Sequence, residues 1–157
     1  MTPTPTGIGK PRKPPRSNPT KSPVVAITKI PNAAGAVPIM PINSLNELVK
    51  AINSDENIAM AAPRLVNFYD KKLKSGGTWL SRAFYNGHIK GTGNEKTKEI
   101  PYMGVGLIRK DFADMFGYIF DPDYFIYGED VDLGLRIRLC GKKTLFEPKS
   151  IMYHMHS

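Results

Sequence analysis

The spacing of hydrophobic residues divides the chain into a polar first quarter and a remainder of short, regularly patterned segments. Ten of the first 41 positions are proline, and most of the others are small, polar or basic. Such a segment buries too little apolar surface to offset its conformational entropy. The sequence therefore predicts a disordered, basic, proline-rich tail over residues 1–41 and one folded domain over residues 42–157. Within the tail, Val24–Ile27 is apolar enough to form a strand if another strand pairs with it.

The first folded element is a predicted helix over about residues 44–53. Apolar residues recur there at helical spacing, at Leu45, Leu48, Val49 and Ile52. Ser44 and Glu47 have the spacing of a capping box, in which each side chain accepts a hydrogen bond from the other residue's backbone N–H. We therefore expect Ser44 to begin this helix.

The middle of the chain alternates compact apolar runs with polar turns. Residues 58–66 predict a buried strand, and residues 103–108 predict a second one. Residues 69–100 between them are rich in Lys, Gly and Asn, which favours a long excursion of short strands and turns. Asp111 is then expected to cap a short helix that ends at Gly117.

Residues 131–139 fit two structures, because the apolar residues alternate as in a strand while every fourth one also shares a helical face. Acidic residues at the front, arginines toward the back and Gly141 just after the segment favour a helix with complementary charges at its ends. A turn at residues 141–143 then leads into two short apolar runs, residues 144–146 and 151–154, with Pro148 between them. Short strands that alternate with short helices indicate an α/β domain.

Charge and cysteine content narrow the function classes. The formal net charge of +8 comes largely from the tail, which carries six basic residues and no acidic one. Such a tail can bind an anionic polymer or a membrane surface without any specific nucleic-acid site.

The one cysteine, Cys140, excludes an internal disulfide and a cysteine-rich zinc site, and its neighbours suggest a buried apolar filler. No apolar run is long enough for a membrane span or a signal peptide, so we expect a cytoplasmic protein with at most peripheral membrane contact.

A stretch late in the chain concentrates five acidic and four aromatic residues within thirteen positions. Carboxylates beside apolar rings lose hydration and repel one another, which raises their pKa values and suits them to accept a proton or hold a cation. For Asp121, Asp123 and Asp132 we favour a structural role, in which each carboxylate accepts backbone N–H groups at a loop or helix start. For the adjacent pair Glu129 and Asp130 we favour a functional role.

The later part of the chain combines a glycine-containing strand, a basic residue before a short helix, and a Glu-Asp-x-Asp helix with an internal arginine. These features, with a later glycine, proline and histidine, are Gly104-Val105-Gly106-Leu107-Ile108-Arg109-Lys110, Gly117, Asp121, Phe125, Tyr127, Glu129-Asp130-Val131-Asp132-Leu133, Arg136, Gly141, Pro148 and His154. Through these features, residues 102–154 resemble the C-terminal half of a family 2 glycosyltransferase of the rhamnosyltransferase-like kind. The fold that this resemblance implies is α/β, a partial GT-A fold with an incomplete mixed sheet and flanking helices.

The resemblance implies an inverting transfer of a sugar from a nucleotide-diphosphate donor to an acceptor hydroxyl, as in the synthesis of cell-surface polysaccharides. An acceptor oxygen attacks well only when a base takes its proton, and the resemblance gives that role to Asp130, with Glu129 positioning the acceptor or the base. A divalent cation, Mn²⁺ or Mg²⁺, would neutralise the leaving diphosphate, with His154 as its ligand and His156 as a substitute. The substrate-binding residues implied are Gly104, Val105, Gly106, Tyr127, Asp132 and Arg136.

Several of these residues have an equally ordinary structural interpretation. Gly104 and Gly106 permit the backbone to approach a ligand, but they would also permit tight strand packing. Aromatic side chains can stack on sugar rings, although each is also typical of a core or of its rim. The aromatic candidates are Trp79, Phe125 and Tyr127, and His88 is given no role.

The expected partners are a nucleotide-sugar donor and a glycan or lipid-linked acceptor. Enzymes of this family begin with a nucleotide-binding half that ends in an Asp-x-Asp motif, whereas residues 35–43 here contain no carboxylate. We therefore expect the acceptor-side part of such an enzyme, impaired in transfer when alone. Because half a parallel sheet leaves an unpaired edge, we also expect self-association or a separate N-terminal subunit.

Two other functions remain open at this point. The main alternative is a noncatalytic module whose basic tail binds an anionic polymer or a membrane surface. Salt-sensitive binding that needs residues 1–40 but not Asp130 would favour it. A metal-dependent hydrolase that uses the acidic stretch and His154 is the weakest hypothesis, because it needs its own preformed set of metal ligands.

Overall fold

The computed structural model describes residues 24–27, 39–124 and 128–155. Its helices are α1 (Ile42–Asn53), α2 (Lys110–Phe116) and α3 (Glu129–Leu139). Its strands are β1 (Val24–Ile27), β2 (Ile58–Asn67), β3 (Leu73–Ser75), β4 (Thr78–Leu80), β5 (Asn86–His88), β6 (Lys98–Ile100), β7 (Leu107–Arg109) and β8 (Lys143–His154). The predicted α/β class is confirmed at this level.

A six-stranded sheet organises the fold, in the order β1-β7-β2-β8-β6 with β3 beside β2. Strands β2 and β8 are parallel, from Ile58 opposite Lys143 to Asn67 opposite His154, and the other pairs are antiparallel. Strands β4 and β5 form a separate hairpin. The sheet is therefore mixed, as predicted, and the carboxyl ends of β2 and β8 lie at one edge.

Strand β2 lies at the centre of the core because both of its faces are covered. Its residues contribute to two apolar clusters, with Met60 in one and Ala61 in the other. The first cluster includes Phe112 of α2 with Leu133 and Ile137 of α3, and the second includes Leu48 and Ile52 of α1. Fully burying side chains of this size contributes about 1.5–3 kcal/mol each. This near-continuous apolar run is typical of a strand covered on both faces.

Helix α1 is confirmed, but its predicted capping box is wrong. The helix follows Pro41, and Ser44 lies inside it, buried against β8. The Ser44 hydroxyl oxygen accepts a hydrogen bond from the Ile151 N–H at 3.0 Å. Glu47 instead forms an ion pair with Lys50 at 2.7 Å. The predicted capping box does not form because the Ser44 hydroxyl accepts its hydrogen bond from β8 and not from the N–H groups at the start of α1.

The strand predicted over residues 103–108 is confirmed only in part, since the regular strand is β7 and residues 103–106 are irregular. Arg109 explains why β7 and α1 stay together. Its guanidinium donates to the carbonyl of Ile58 at 2.8 Å and to the carbonyls of Ile52 and Asp55 at 3.0 and 3.3 Å. Arg109 therefore fixes the end of α1 and the start of β2 to β7.

The two later helices follow the sequence more closely. Gly117, with φ 75°, ends α2 as predicted, but Arg109 rather than Asp111 occupies the cap position of that helix. The helical interpretation of residues 131–139 is confirmed by α3, and Gly141 follows its end with φ 70°. Cys140 is exposed, so its prediction as a buried filler is wrong; it lies after the last turn of α3, where the chain leaves the core.

The tail contributes a strand, because β7 offers an edge with which Val24–Ile27 pairs. The backbone of Ile39 also pairs with that of Tyr153. The boundary between a tail and a domain near residue 41 stays a prediction. No helix within the described ranges is long and apolar enough to cross a bilayer.

Candidate active site

Asp130 and Glu129 form the first turn of α3, directly after Gly128. Asp130 is half-buried, and its Oδ1 accepts a hydrogen bond from the N–H of the next residue, Val131, at 2.8 Å. Its other carboxylate oxygen, Oδ2, lies toward Gly104, where an added Cβ would be 3.4 Å away. The carboxylate is therefore held over the irregular segment that precedes β7.

Helix α3 reaches this segment because Gly134 lacks a side chain. A Cβ on Gly134 would lie 2.5 Å from the Cβ of Tyr102 and in collision with the Pro101 carbonyl. Residues four apart share one face of a helix, so Asp130 and Gly134 both face residues 101–104. The close approach at Gly134 thus positions Asp130.

The β4–β5 hairpin covers the other side of Tyr102. The Tyr102 hydroxyl donates to the Asn86 side-chain oxygen at 3.1 Å, and the Thr78 hydroxyl donates to the Tyr102 carbonyl. Tyr102 is buried, whereas Asn86 and His88 are exposed. Its ring therefore joins α3 on one side to the hairpin on the other.

Burial raises the pKa of the Asp130 carboxyl above its ordinary value. The Val131 N–H opposes this rise, the negative charge of Glu129 adds to it, and the charge of His88 reduces it. Burial also raises the pKa of the Tyr102 hydroxyl, and the Asp130 charge raises it further. The direction predicted for a carboxylate in this stretch is thus confirmed for Asp130. A base with a raised pKa is suited to accept a proton near neutral pH.

Glu129, next to Asp130 in the first turn of α3, has an unusual feature. Its Oε2 atom is buried and has no hydrogen-bond partner among the described residues. A buried carboxylate oxygen without a donor costs free energy, so such a group commonly awaits a donor from a ligand or solvent. This environment fits the predicted role of Glu129 in positioning an acceptor or the base.

Gly104 and Gly106, which precede β7, lie in two different environments. Gly104 faces the Asp130 carboxylate, as described above. A Cβ on Gly106 would instead lie 2.5 Å from the Ala61 carbonyl oxygen, and Val105 is buried in the core. Tight strand packing therefore accounts for Gly106 and Val105. Substrate binding by Gly104, Val105 and Gly106 stays a prediction.

Asp132 and Arg136 form an ion pair on α3, with Arg136 Nε donating to Asp132 Oδ2 at 2.7 Å. A second Arg136 nitrogen donates to the Ile119 carbonyl at 2.6 Å, and the guanidinium lies 5.1 Å from the centres of the Phe116 and Tyr118 rings. These contacts hold the loop after α2 against α3. They account for both residues structurally, and substrate binding by them stays a prediction.

The structural role favoured for the earlier aspartates has the expected geometry at Asp121. Its Oδ1 accepts the Asp123 N–H at 2.9 Å, and its Oδ2 accepts the Tyr118 hydroxyl at 3.2 Å. The Asp123 side chain is exposed. Asp121 therefore organises the loop that leads toward α3.

His154 lies at the carboxyl end of β8, beside Asn67 of β2. Across the described ranges, no three His, Cys, Asp or Glu side chains come together in a geometry that could hold a metal ion. The described residues therefore do not by themselves fit a resident divalent cation. His156, Phe125 and Tyr127, which the sequence also singled out, lie outside the described residues.

Trp79 is 44% exposed and lies over Gly87 on the opposite strand of the hairpin, with 3.1 Å between the indole nitrogen and a Cβ built on that glycine. Its partner in register is a glycine, which leaves room for the ring to lie flat.

Two surface depressions of about 540 and 500 Å³ lie elsewhere, and both include Arg64 and Gly93. Neither depression is lined by Asp130.

Sequence reasoning missed His88. Its Nδ1 lies 3.0 Å from the Ser75 hydroxyl oxygen, and its charge acts on Asp130. No spacing signal connects the two residues, because the hairpin and α3 meet only through the tertiary packing on Tyr102.

The fold is similar to part of one solved glycosyltransferase, described as the crystal structure of GalNAc-T7 with UDP, GalNAc and Mn²⁺. The superposition has a TM-score of 0.59 at 22% sequence identity and covers 76% of this chain and 26% of that one. This chain thus spans about a quarter of the length of that protein. No protein-family model and no curated protein sequence matches the chain. At this identity the likeness shows the fold alone, that of a segment of a glycosyltransferase.

Proposed function

We propose that this protein is a glycosyltransferase-related protein of family 2, with a partial GT-A fold, and that its described domain forms the acceptor side of an inverting sugar-transfer site. The observation that carries the proposal is the half-buried Asp130 carboxylate, held against Gly104 with a raised pKa. The likeness to a segment of GalNAc-T7 supports it. The rhamnosyltransferase-like kind rests on the sequence resemblance.

In this proposal Asp130 takes the proton of an acceptor hydroxyl as its oxygen attacks the anomeric carbon of the donor sugar. The new bond forms on the face opposite the diphosphate, which leaves with the electron pair of the broken bond. Glu129, with its unpartnered Oε2, accepts a hydrogen bond from the acceptor and holds it in place. Positioning of this kind and proton removal each lower the barrier.

The class of donor is inferred from the sequence resemblance to family 2 glycosyltransferases and from the likeness to GalNAc-T7, which was solved with UDP and GalNAc. A nucleotide-diphosphate sugar is therefore the proposed donor, and a glycan or lipid-linked hydroxyl is the proposed acceptor. That neighbour was also solved with Mn²⁺. The described residues do not bring three metal ligands together, and His154 would supply one ligand if other groups completed the site.

Calorimetric titration with nucleoside-diphosphate sugars, with and without Mn²⁺, tests donor use. We expect weak binding, with a Kd on the order of 1 mM or about −4 kcal/mol, because few nucleotide-binding groups are visible in the described residues. Asp130→Asn should bind donor equally well, since its role is in proton transfer. Absence of binding for every donor at millimolar concentration would contradict donor use by this chain.

A transfer assay tests whether the isolated chain is impaired and, if it does transfer sugar, whether Asp130 is the base. We expect the isolated chain to release no more nucleoside diphosphate than Asp130→Asn does, with either Mn²⁺ or Mg²⁺ and a panel of glycan acceptors. Multiple-turnover transfer that Asp130→Asn abolishes would contradict the proposed impairment. Multiple-turnover transfer that Asp130→Asn leaves unchanged would contradict the assignment of the base.

A further inference from the structure

One face of the β4–β5 hairpin packs on the fold. The Thr78 hydroxyl donates to the Tyr102 carbonyl, and the Asn86 side-chain oxygen accepts the Tyr102 hydroxyl at 3.1 Å. Thr78 is opposite His88 in register, and the His88 ring lies 3.0 Å from the hydroxyl oxygen of the buried Ser75. The side chains of Thr78, Asn86 and His88 therefore define the inner face of the hairpin.

The outer face of the hairpin presents aromatic and apolar side chains to solvent. Trp79 is opposite Gly87 in register, and Tyr85 and Ile89 lie two residues before and after that glycine on the other strand. Since successive side chains of a strand point to opposite faces, Trp79, Tyr85 and Ile89 share the outer face. All three are exposed, Tyr85 to 73%. Apolar side chains grouped in this way at a surface commonly mark a place where a partner binds.

The tip of the hairpin has a phenylalanine where glycine is usual. The Ser81 N–H donates to the Tyr85 carbonyl at 2.8 Å and the Phe84 N–H donates to the Ser81 carbonyl at 3.1 Å, so residues 82–84 form the loop. The last position of such a loop takes a left-handed conformation that favours glycine. Phe84 adopts this conformation with φ 62°, and its side chain is 65% exposed. A strained backbone that presents an aromatic ring to solvent indicates a use for that ring outside the fold.

The sequence around the hairpin is strongly cationic. Residues 71–94 contain no acidic residue and five basic ones, all exposed, which are Lys71, Lys72, Lys74, Arg82 and Lys90. Arg82 lies in the tip beside Phe84, and Lys90 follows Ile89 on the outer strand. The next acidic residue, Glu95, forms an ion pair with Arg64 at 2.9 Å. The hairpin is therefore complementary in charge to an anionic partner.

We propose that the outer face of the β4–β5 hairpin docks on the surface of an anionic lipid bilayer, with the Phe84 ring inserted and the neighbouring cationic side chains at the lipid phosphates. Phe84 and Ile89 have no hydrogen-bonding side chain, so they gain from an apolar layer, which a soluble anionic polymer does not offer. The rings of Trp79 and Tyr85 suit the boundary between lipid and water. Burial of apolar side chains and attraction to anionic lipids add together in docking of this kind.

This docking does not depend on sugar transfer. A basic tail that binds the bilayer by charge alone is one alternative, and an outer face without a partner is the other. Where the proposed function also holds, docking through this hairpin favours the lipid-linked class of acceptor. The reason is that Tyr102 joins the hairpin to α3, on which Asp130 lies.

Trp79 is the single tryptophan of the chain, so tryptophan fluorescence reports directly on the outer face. The full chain is titrated with vesicles made of equal parts phosphatidylcholine and phosphatidylserine. We expect the emission of Trp79 to move to shorter wavelength and brominated acyl chains to quench it, with a weaker response to phosphatidylcholine alone.

Three results of this titration would overturn the proposal. The first is an absence of binding to the anionic vesicles. The second is binding that leaves the Trp79 emission unchanged, because the tail alone would then hold the bilayer. The third is the same change in emission with dextran sulfate in place of vesicles, because the partner would then be a soluble polymer.

Phe84→Gly separates docking from folding, because glycine adopts the left-handed conformation without strain. We expect this variant to keep or raise the Tm and to lower the vesicle partition coefficient about tenfold, since an aromatic ring is no longer buried in the bilayer. Ile42→Ser is the matched control. Ile42 is 70% exposed at the start of α1, the helix that covers the other apolar cluster from α3, and its replacement should leave the partition coefficient unchanged.

A partition coefficient for Phe84→Gly equal to that of Ile42→Ser would overturn the proposal. Neither experiment contains a sugar donor, so failure of membrane docking is distinct from failure of the proposed function.

Discussion

At the scale of single residues, the candidate site depends on the cost of keeping Asp130 half-buried and charged. Its raised pKa means that the fold favours the protonated carboxyl. The stability that this preference contributes is fully present below the pKa of an unfolded aspartate and is lost as the pH rises through the raised pKa of the folded state. At a pH above the raised pKa, the ionised Asp130 therefore destabilises the fold. Such a cost is typical of residues kept for function.

Asp130→Asn should consequently raise the Tm at pH 7, because asparagine keeps an oxygen for the Val131 N–H without a buried charge. The gain should disappear at low pH, where Asp130 is protonated in both folded and unfolded chains. Thermal unfolding followed by circular dichroism at pH 7 and pH 3 measures both effects. Asp123→Asn, at an exposed position, is the control. A lower Tm for Asp130→Asn at pH 7 would show that the charge stabilises the fold and would contradict this account.

The two strand glycines provide a second residue-level prediction. An alanine methyl at Gly106 would overlap the Ala61 carbonyl oxygen, whereas at Gly104 it would make an ordinary contact with the Asp130 carboxylate. We expect Gly106→Ala to cost about 1–3 kcal/mol of unfolding free energy. Gly104→Ala should cost about 0.5 kcal/mol or less. Urea denaturation of the two variants compares them directly, and equal costs would contradict the different environments assigned to them.

At the scale of elements, Arg109 joins three pieces of the fold by donating to carbonyls of α1, the following loop and β2. Its sequence context suggested only a basic residue before a helix. Structure shows that the side chain runs back toward the end of α1, where carbonyls lack helical partners. Its role is therefore to fix the sheet against α1, away from Asp130.

Arg109→Met should lower the unfolding free energy by about 1.5–3 kcal/mol, because charged hydrogen bonds to partly buried carbonyls are lost. Lys110→Met is the matched control. Lys110 forms an exposed pair with Asp114, so its loss should cost about 0–0.5 kcal/mol. Chemical denaturation measures both values. A cost for Arg109→Met no larger than that of the control would contradict the role of Arg109 in fixing α1 and β2 to β7.

Elements with a strong local signal could be predicted, and contacts between distant elements could not. The apolar periodicity of α1, the buried run of β2 and the charge asymmetry of α3 are local properties, and all three elements formed. Ser44 was misassigned because its partner is Ile151, more than a hundred residues away. His88 was missed for the same reason, since only the packing of Tyr102 brings its hairpin to α3.

At the scale of the whole molecule, the described residues form a mixed sheet covered by helices, and Asp130 lies on α3, which Tyr102 joins to the β4–β5 hairpin. Strands β2 and β8 are both paired on either side over part of their length, and β1 lies on the edge of β7. The likeness to about a quarter of GalNAc-T7 supports a domain that is one portion of a transferase architecture. Binding of a nucleotide sugar near Asp130 is the part of the proposal that belongs to this scale.

The most direct measurement is an NMR titration of the isotope-labelled chain with UDP-, GDP- and dTDP-sugars in the presence of Mg²⁺. The account predicts that the shifted amide signals cluster at Gly104, Glu129 and Asp130 and extend to the hairpin at His88. Shifts confined to the depressions around Arg64 and Gly93, or no shifts with any donor at millimolar concentration, would contradict the placement of a sugar-transfer site at Asp130.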